Sequence, residues 1–327
     1  MATVREQVSA GQEVTMDVPS LRIAQVGSFH VGGRQIQVEG RDTQSIAFTR
    51  STSFSYDPNG LYHIEQAYVQ YFIPERLVSP LPIVLLHGGG FSGTMWESTP
   101  DGRPGWLQIL LGLGFAVYVV DNVERGRASW CAIPEVWDGA PIVRSAQEAW
   151  SLFRFGSRED FQDRRPFPGQ RFPTGDLDTF IMGHSPRWLT TTDAAVATFE
   201  AVLQRVGPCC VVTHSQGGEV AFRAAARHPA LVPCLAALEP SGFPDEPSAF
   251  VGRSVLLITG DYMDAAPLWM SLRGKTEESI AALKEAGASA TLWSLPRLGI
   301  SGNSHMFMMD NNNAEIAELL SGWILER

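Results

Sequence analysis

The chain has 327 residues, 44% of them hydrophobic, and 35 acidic against 25 basic side chains give a formal net charge of -10. That length can bury a sizeable core as one large α/β domain, and no Pro/Ser/Gly-rich or charged linker divides it. The acidic balance disfavours nucleic acid and anionic membrane as partners, and neither a basic patch nor a run of ~20 apolar residues argues otherwise.

Residues 1–20 carry Arg5, Glu6, Glu13 and Asp17 and no apolar stretch of the kind a secretory leader needs, so a cytoplasmic address is expected. From there to Tyr71 the alternation of polar and apolar residues, as in Leu21-Arg22-Ile23-Ala24-Gln25-Val26 and Ala67-Tyr68-Val69-Gln70-Tyr71-Phe72, predicts antiparallel strands with one wet face. Turns are expected at Gly32-Gly33 and Asp57-Pro58-Asn59-Gly60.

Pro82-Ile83-Val84-Leu85-Leu86 then reads as a buried strand running into His87-Gly88-Gly89-Gly90-Phe91. Bare backbone in such a loop can approach a ligand closely, and in serine hydrolases of the α/β class it gives one N–H to the tetrahedral oxyanion. Gly89 is the candidate donor, with Gly90 as its alternate. A nucleotide-phosphate loop is the competing reading, but no Gly-x-Gly-x-x-Gly pattern follows and Phe91-Ser92-Gly93-Thr94-Met95-Trp96 supplies no lysine. A helix over Trp106 to Leu113 and a fully buried strand from Phe115 to Val120 come next.

Between Arg125 and about Thr190 the strand-helix alternation gives way to a stretch rich in Pro, Arg and aromatics, among them Trp130, Trp137, Trp150, Phe153 and Trp188. A connection this long at this point of an α/β chain predicts a cap over the active site, residues 125–190, although a surface excursion packed on itself would read the same way. As a cap, its aromatics, with Met306 and Phe307 farther on and Trp96 before it, would build an apolar pocket for a bulky hydrophobic or aromatic acyl or lactone substrate. Arg125, Arg127 and Arg154 could hold a substrate carboxylate, with structural ion pairs as their plainer role.

The run Cys210-Val211-Val212-Thr213-His214-Ser215-Gln216-Gly217-Gly218 turns a β-branched strand sharply into a helix with a serine at the corner. That is the geometry of a nucleophile, the small Gly217 and Gly218 letting the helix start close behind the strand and Gln216 offering the second oxyanion N–H. Thr213 stands where the strict pattern has glycine, so the run alone could equally be a helix opened by a capping serine. His214, beside the serine, is assigned to the pocket wall. A serine hydroxyl needs a base, and of the seven histidines only His305, in Gly302-Asn303-Ser304-His305-Met306, lies beyond the elbow and its helix. For the acid that orients this imidazole, two strand ends compete: Glu239 after Cys234-Leu235-Ala236-Ala237-Leu238, and Asp261 after Ser254-Val255-Leu256-Leu257-Ile258-Thr259-Gly260. From the residues alone Asp261 is preferred, since most α/β-hydrolases place their acid after the penultimate strand; Asp264 is a third choice. A strand over Ala290 to Leu295 and helices over Thr276 to Ala286 and Asn313 to Leu325 complete the pattern.

The four cysteines lack Cys-x-x-Cys spacing, adjacent Cys209 and Cys210 read as small buried hydrophobes, and there is no His-Glu-x-x-His, so neither metal nor cofactor is expected. The whole points to an α/β fold with a mostly parallel twisted sheet, helices on both faces, and catalytic groups at the C-terminal strand ends.

Several stretches together resemble a small branch of the α/β-hydrolases typified by a bacterial carboxylesterase with a Ser-Glu-His triad. They are His87-Gly88-Gly89-Gly90, Thr94-Met95-Trp96-Glu97-Ser98-Thr99-Pro100-Asp101-Gly102-Arg103, Gly126-Arg127, Phe153-Arg154-Phe155-Gly156, His214-Ser215-Gln216, Glu239-Pro240 and Gly302-Asn303-Ser304-His305-Met306. The resemblance implies Ser215 as nucleophile, His305 as base, Glu239 rather than Asp261 as acid, oxyanion donors at Gly89 and Gln216, and a homodimer. The resembling esterase has two adjacent bridged cysteines where this chain has Gly89 and Gly90. The expected activity is hydrolysis of an ester or lactone of a small molecule through an acyl-enzyme. Carbon-carbon bond hydrolysis, acyl transfer, and a non-catalytic receptor that keeps the pocket are the alternatives.

Overall fold

The computed structural model describes residues 20–327 except 132, 134, 135 and 138. The acidic stretch 1–19, which carries the expectation about a leader, therefore lies outside the described residues. The chain begins with a long hairpin, β1 (Ile23–Val38) and β4 (Gly60–Pro74), between which a small separate hairpin is formed by β2 (Gln44–Thr49) and β3 (Thr52–Tyr56). Then β5 (Ile83–Leu86), α1 (Trp106–Gly112) and β6 (Val117–Asp121) begin the alternating part. After the long connection, which holds α2 (Ala146–Leu152) and α3 (Leu177–Met182), come α4 (Thr192–Val206), β7 (Cys210–His214) and α5 (Gly217–Arg227). The chain closes with β8 (Cys234–Leu238), β9 (Ser254–Thr259), α6 (Pro267–Glu285), β10 (Ser289–Ser294) and α7 (Asn313–Leu325).

One eight-stranded sheet results, in the order β1-β4-β6-β5-β7-β8-β9-β10. Pairing is antiparallel from β1 through β4 to β6 and parallel from β6 to β10. Because side chains alternate across a strand, each central strand feeds two cores. Ile83, Leu85, Cys210, Val212, Ala236 and Ile258 face one layer with α1 and α7, whereas Val84, Leu86, Val211, Leu235, Ala237 and Leu257 face the other with α4 and α5. Full burial of one such Leu, Ile or Val stabilises by about 1.5–3 kcal/mol, so these short apolar runs fix both the register and the sidedness of the sheet.

The connection between β6 and α4 contains no strand longer than a single bridge among the described residues, and its Trp150, Phe153, Phe155, Phe161, Phe172 and Phe180 join the α1/α7 core layer. Three expected elements come out differently. Gly32-Gly33 does not end a strand: β1 runs through it, with Gly32 opposite Gln66 and Arg34 opposite Ile64. Both glycines have positive φ and the facing Glu65 does too, so the pair kinks a continuous ribbon. The strand expected from Phe115 starts at Val117, because the Phe115 N–H is held by Leu110 at the end of α1. The helix expected from Thr276 starts at Pro267, whose fixed φ suits a first helical position, and its first turns bury Trp269 and Leu272.

The kink gives a paired test of backbone strain. Gly33 has φ +76°, and a Cβ there would run into the Ile64 carbonyl; Gly40 has nearly the same φ, +75°, with nothing within 4 Å. Gly40→Ala should cost only the left-handed conformational penalty of about 1–2 kcal/mol. Gly33→Ala adds a clash with fixed backbone and should lower the thermal midpoint by clearly more in differential scanning calorimetry; equal losses would contradict the kink.

Candidate active site

β5, β7, β8 and β9 are adjacent parallel strands, so the residues that follow them gather at one edge of the sheet. Ser215 follows β7 with φ +50°, and Glu239 follows β8 with φ +43°. Neither is glycine, and a non-glycine residue held in this region costs on the order of 1–3 kcal/mol, which neighbouring structure must offset. Here the main chain supplies it: Ser215 N–H donates to Leu238 O (2.9 Å), Glu239 N–H to Ile258 O (2.8 Å), and the Ser215 carbonyl accepts from Gly218 and Ser241.

The glycines around the elbow are there for room. A Cβ on Gly217 would stand 2.5 Å from His87 O, one on Gly218 would stand 2.7 Å from Pro240, and one on Gly88 would stand 2.6 Å from His214 Nδ1 and 3.2 Å from the Ser215 side chain. The loop after β5 therefore lies directly against the elbow. His87 braces it: its Nε2 accepts from the Asn122 N–H (3.1 Å), so Nδ1 carries the hydrogen and donates to Gly88 O (2.9 Å). Burial and the nearby Arg125 charge push its pKa down to about 4, which keeps that neutral tautomer.

His305 enters from the loop after β10. Its Nδ1 lies 2.5 Å from Glu239 Oε2, both groups are buried, and its backbone N–H donates to Phe153 O (3.0 Å). The loop is pinned by buried Asp310, which accepts from the Ser304 N–H, the Ser304 hydroxyl and the Asn303 amide within 2.9 Å. His214 is also fully buried; its Nε2 donates to His305 O (3.1 Å), and the two rings are 4.4 Å apart. Phe153 stacks on the His305 ring at 5.6 Å, and Trp269 lies 4.5 Å from it.

Glu239 has two further partners. Arg154, with no exposed surface, forks onto both carboxylate oxygens (2.8 and 2.5 Å), and Gly260 N–H donates to Oε1 (2.6 Å). The third guanidinium donor, Nε, binds Asp261 O (2.7 Å), and the Arg154 head sits 4.4 Å over the Trp269 ring. Burial alone would raise the Glu239 pKa, but the Arg154 charge and the His305 hydrogen bond outweigh it and bring it to about 2. Burial lowers the His305 pKa, and the Glu239 bond only partly offsets this, so it stays below the ordinary 6.5. A neutral ring whose Nδ1 faces a carboxylate donates from Nδ1 and leaves Nε2 as an acceptor.

Asp261 and Asp264, the other acid candidates, are engaged elsewhere. The Asp261 carboxylate accepts from Tyr262 and Gly302 N–H groups (2.8 and 3.0 Å), which ties the end of β9 to the His305 loop, and Asp264 pairs with Arg273. Among the expected pocket residues, His214 touches His305, but Trp96, Met306 and Phe307 are fully buried in the core, with Trp96 and Phe307 each packed against Trp106. Trp137 and Trp188 form a separate small cluster with Val123, and Trp130, 48% exposed, lies against Trp188. Of the rings that surround His305, Phe153 is one of the aromatics expected from the long connection, whereas Trp269 was not picked out, because the misplaced start of α6 hid it. Arg125 and Arg127 are ion-paired, to Glu124 and to Asp121. Among the described residues no three His, Cys, Asp or Glu side chains gather as a metal-binding group, and the cysteines are free. A cleft of about 540 Å³ beside Leu21, Pro74, Val78 and Gly112 lies at the opposite, N-terminal edge of the parallel strands and contains none of these residues.

This architecture and elbow are those of the α/β-hydrolases. No protein-family model matches the chain. A bacterial esterase of known structure, described as novel when its atomic-resolution structure was determined, is 31% identical, with a TM-score of 0.81 over 93% of this chain and 96% of its own. A probable secreted lipase, phiG, of a fungal species (strain ATCC 74256) is 29% identical over 333 residues, 84% of this chain and 89% of that protein. The chain belongs to the same family of α/β-hydrolases as that bacterial esterase, and is a carboxylic ester hydrolase. The fungal relative is named as secreted, whereas a cytoplasmic address is expected from the sequence here; among the described residues no helix is long and apolar enough to cross a membrane.

Arg154 makes two testable demands. Arg154→Gln leaves a buried carboxylate without its cation and should cost about 3–5 kcal/mol of stability in urea unfolding. Because the Arg154 charge lowers the His305 pKa, its removal should also move the acid limb of the kcat/KM profile to higher pH, while Arg154→Lys, which keeps the charge, leaves the limb nearly in place. In the wild type the depressed Glu239 pKa means that its contribution to stability is complete above its ordinary 4.5 and is lost as pH falls toward about 2. An acid limb that ignores the charge at position 154 would contradict this electrostatic picture.

Proposed function

We propose that the protein hydrolyses an ester or lactone of a hydrophobic or aromatic small molecule through an acyl-enzyme. In this reading the Ser215 Oγ attacks the scissile carbonyl carbon and passes its proton to His305 Nε2. Glu239 holds the imidazole in that tautomer and stabilises the imidazolium. The carbonyl oxygen, now negative, accepts from the backbone N–H groups of Gly89, or Gly90, and Gln216; each such donor is worth about 3 kcal/mol of barrier in known cases. The imidazolium returns its proton to the leaving oxygen, the ester C–O bond breaks, and the same base then activates the water that releases the acid.

The observation that carries this reading is the Glu239–His305 pair, 2.5 Å apart and buried, together with a serine held at positive φ on the strand-to-helix corner of the neighbouring strand β7. A preference for hydrophobic or aromatic acyl groups is supported by Phe153 and Trp269 around the base and by Phe91 and Phe180 beyond Phe153. Residues 125–190 are taken as the cap, since they supply Phe153 and Phe180 and share the core beside the site.

A fluorophosphonate probe should label Ser215, as read by peptide mass spectrometry, and Ser215→Ala should abolish both labelling and turnover. Glu239→Gln should lower kcat by orders of magnitude, as loss of the orienting acid does in related triads, whereas Asp261→Asn should act mainly through stability. Collapse of turnover in Asp261→Asn alone would overturn the assignment of the acid. With p-nitrophenyl esters of increasing acyl length, kcat/KM should rise with apolar bulk; a flat series would remove the argument for an apolar pocket.

A further inference from the structure

Arg187 is the unanswered charge beside this site. Among the described residues its guanidinium takes part in no hydrogen bond or ion pair, and its Nε is buried without a partner. Its head group reaches the oxyanion loop: a Cβ built on Gly89 would stand 2.5 Å from Arg187 Nη1 and 2.5 Å from Gln216 Oε1. Arg187 and the Gln216 side chain thus flank the proposed oxyanion donor from the side on which residue 89 has no side chain of its own. Next to it, a Cβ on Gly90 would meet only Ser185 O, at 3.7 Å, so the loop has open space there.

The backbone holds this arginine firmly. Arg187 exchanges two hydrogen bonds with Ile142 (2.7 and 3.0 Å), and two residues earlier Ser185 N–H donates to Gly90 O (2.8 Å), which locks the segment to the oxyanion loop itself. The charges that face it do not neutralise it. Glu124 gives one oxygen, Oε1, to Arg125 and the Trp188 N–H, while its Oε2 is buried without a hydrogen-bond partner among the described residues and makes no ion pair with Arg187. Glu219 pairs with Arg223, and Arg125 and Arg144 add like charge. A half-buried cation that no neighbouring carboxylate pairs with is costly in the free protein, and an incoming anion relieves that cost.

We propose that Arg187 is a specificity-determining residue that binds a carboxylate carried by the substrate, so that the preferred substrate is an ester or lactone with an apolar body and one free carboxylate close to the scissile carbonyl. This rests on Ser215 acting as the nucleophile at that loop. A guanidinium presents a fork that matches a carboxylate in two parallel hydrogen bonds, and its position beside Gly89 places that recognition within a few bonds of the reacting carbon.

The test compares kcat/KM for the monomethyl esters of succinic, glutaric and adipic acid with that for the neutral dimethyl ester of each, in wild type, Arg187→Met and Arg187→Lys, with circular dichroism as a check on folding. Wild type should favour at least one half-ester. Arg187→Met should lower that half-ester-to-diester ratio by about tenfold or more, the scale of a hydrogen bond to a charged group, and chiefly through KM. Arg187→Lys should keep part of it. A ratio near unity across the wild-type series, or one unchanged in Arg187→Met, would overturn the carboxylate site even if the fluorophosphonate labels Ser215. Conversely, calorimetric binding of glutarate that is lost in Arg187→Met would uphold the site even if Ser215→Ala still turned over ester, an outcome that would sink only the nucleophile assignment.

Discussion

A carboxylate that is 3% exposed cannot stay ionised without help, and Glu239 receives it from two sides. Arg154 takes both oxygens in a fork, and His305 Nδ1 takes one of them again. The arginine is therefore more than a counter-ion. It keeps the carboxylate charged whatever the imidazole does, so the charge is ready to stabilise an imidazolium when one forms. It also opposes that same imidazolium, since a guanidinium behind the carboxylate lowers the His305 pKa. The balance leaves an imidazole that is neutral at pH 7 and held in one tautomer, which suits the role of base proposed for it.

The sheet makes that arrangement reachable. Parallel strands deposit successive chain segments at one edge, and the residues after β7, β8 and β9 stand side by side there because their strands are neighbours in the sheet. Two corners with positive φ then aim Ser215 and Glu239 away from the strand directions. Arg154 comes from the long connection and ties the Glu239 corner to it, joining Glu239, the Asp261 carbonyl and the face of Trp269. The connection is thus bonded to the site as well as packed beside it.

How much of this could be read from residues alone follows from the range of each signal. The elbow at Ser215 and the loop at His87–Gly90 are local patterns, legible because a tight strand-to-helix corner and a close backbone approach demand small residues at fixed spacing. The central strands were legible for the same reason, since short apolar runs between parallel neighbours have few other uses. Glu239 and Asp261 could not be separated locally: each follows a buried strand, the strands are adjacent, and which carboxylate meets His305 is a tertiary fact. The glycine pair at 32–33 looked like a turn, but turn chemistry cannot distinguish a reversal from a kink shared with the facing strand. Trp96 and Phe307 carried the right chemistry for a pocket wall and went instead to the core around Trp106, because aromatic content says nothing about direction. Arg187 gave no local sign at all; its meaning depends on Gly89, almost a hundred positions earlier.

The central claim is that Ser215, His305 and Glu239 meet around one carbonyl carbon with Gly89 and Gln216 on its oxygen. A crystal structure of the protein after reaction with an alkyl phosphonate tests it most directly, because the adduct copies the tetrahedral intermediate. The account predicts phosphorus bonded to Ser215 Oγ, one phosphonyl oxygen about 2.7–3.1 Å from the amide nitrogens of Gln216 and Gly89 or Gly90, and His305 Nε2 turned toward the leaving position. An unmodified Ser215, or an adduct whose oxygen points away from both amides with His305 out of reach, would contradict it.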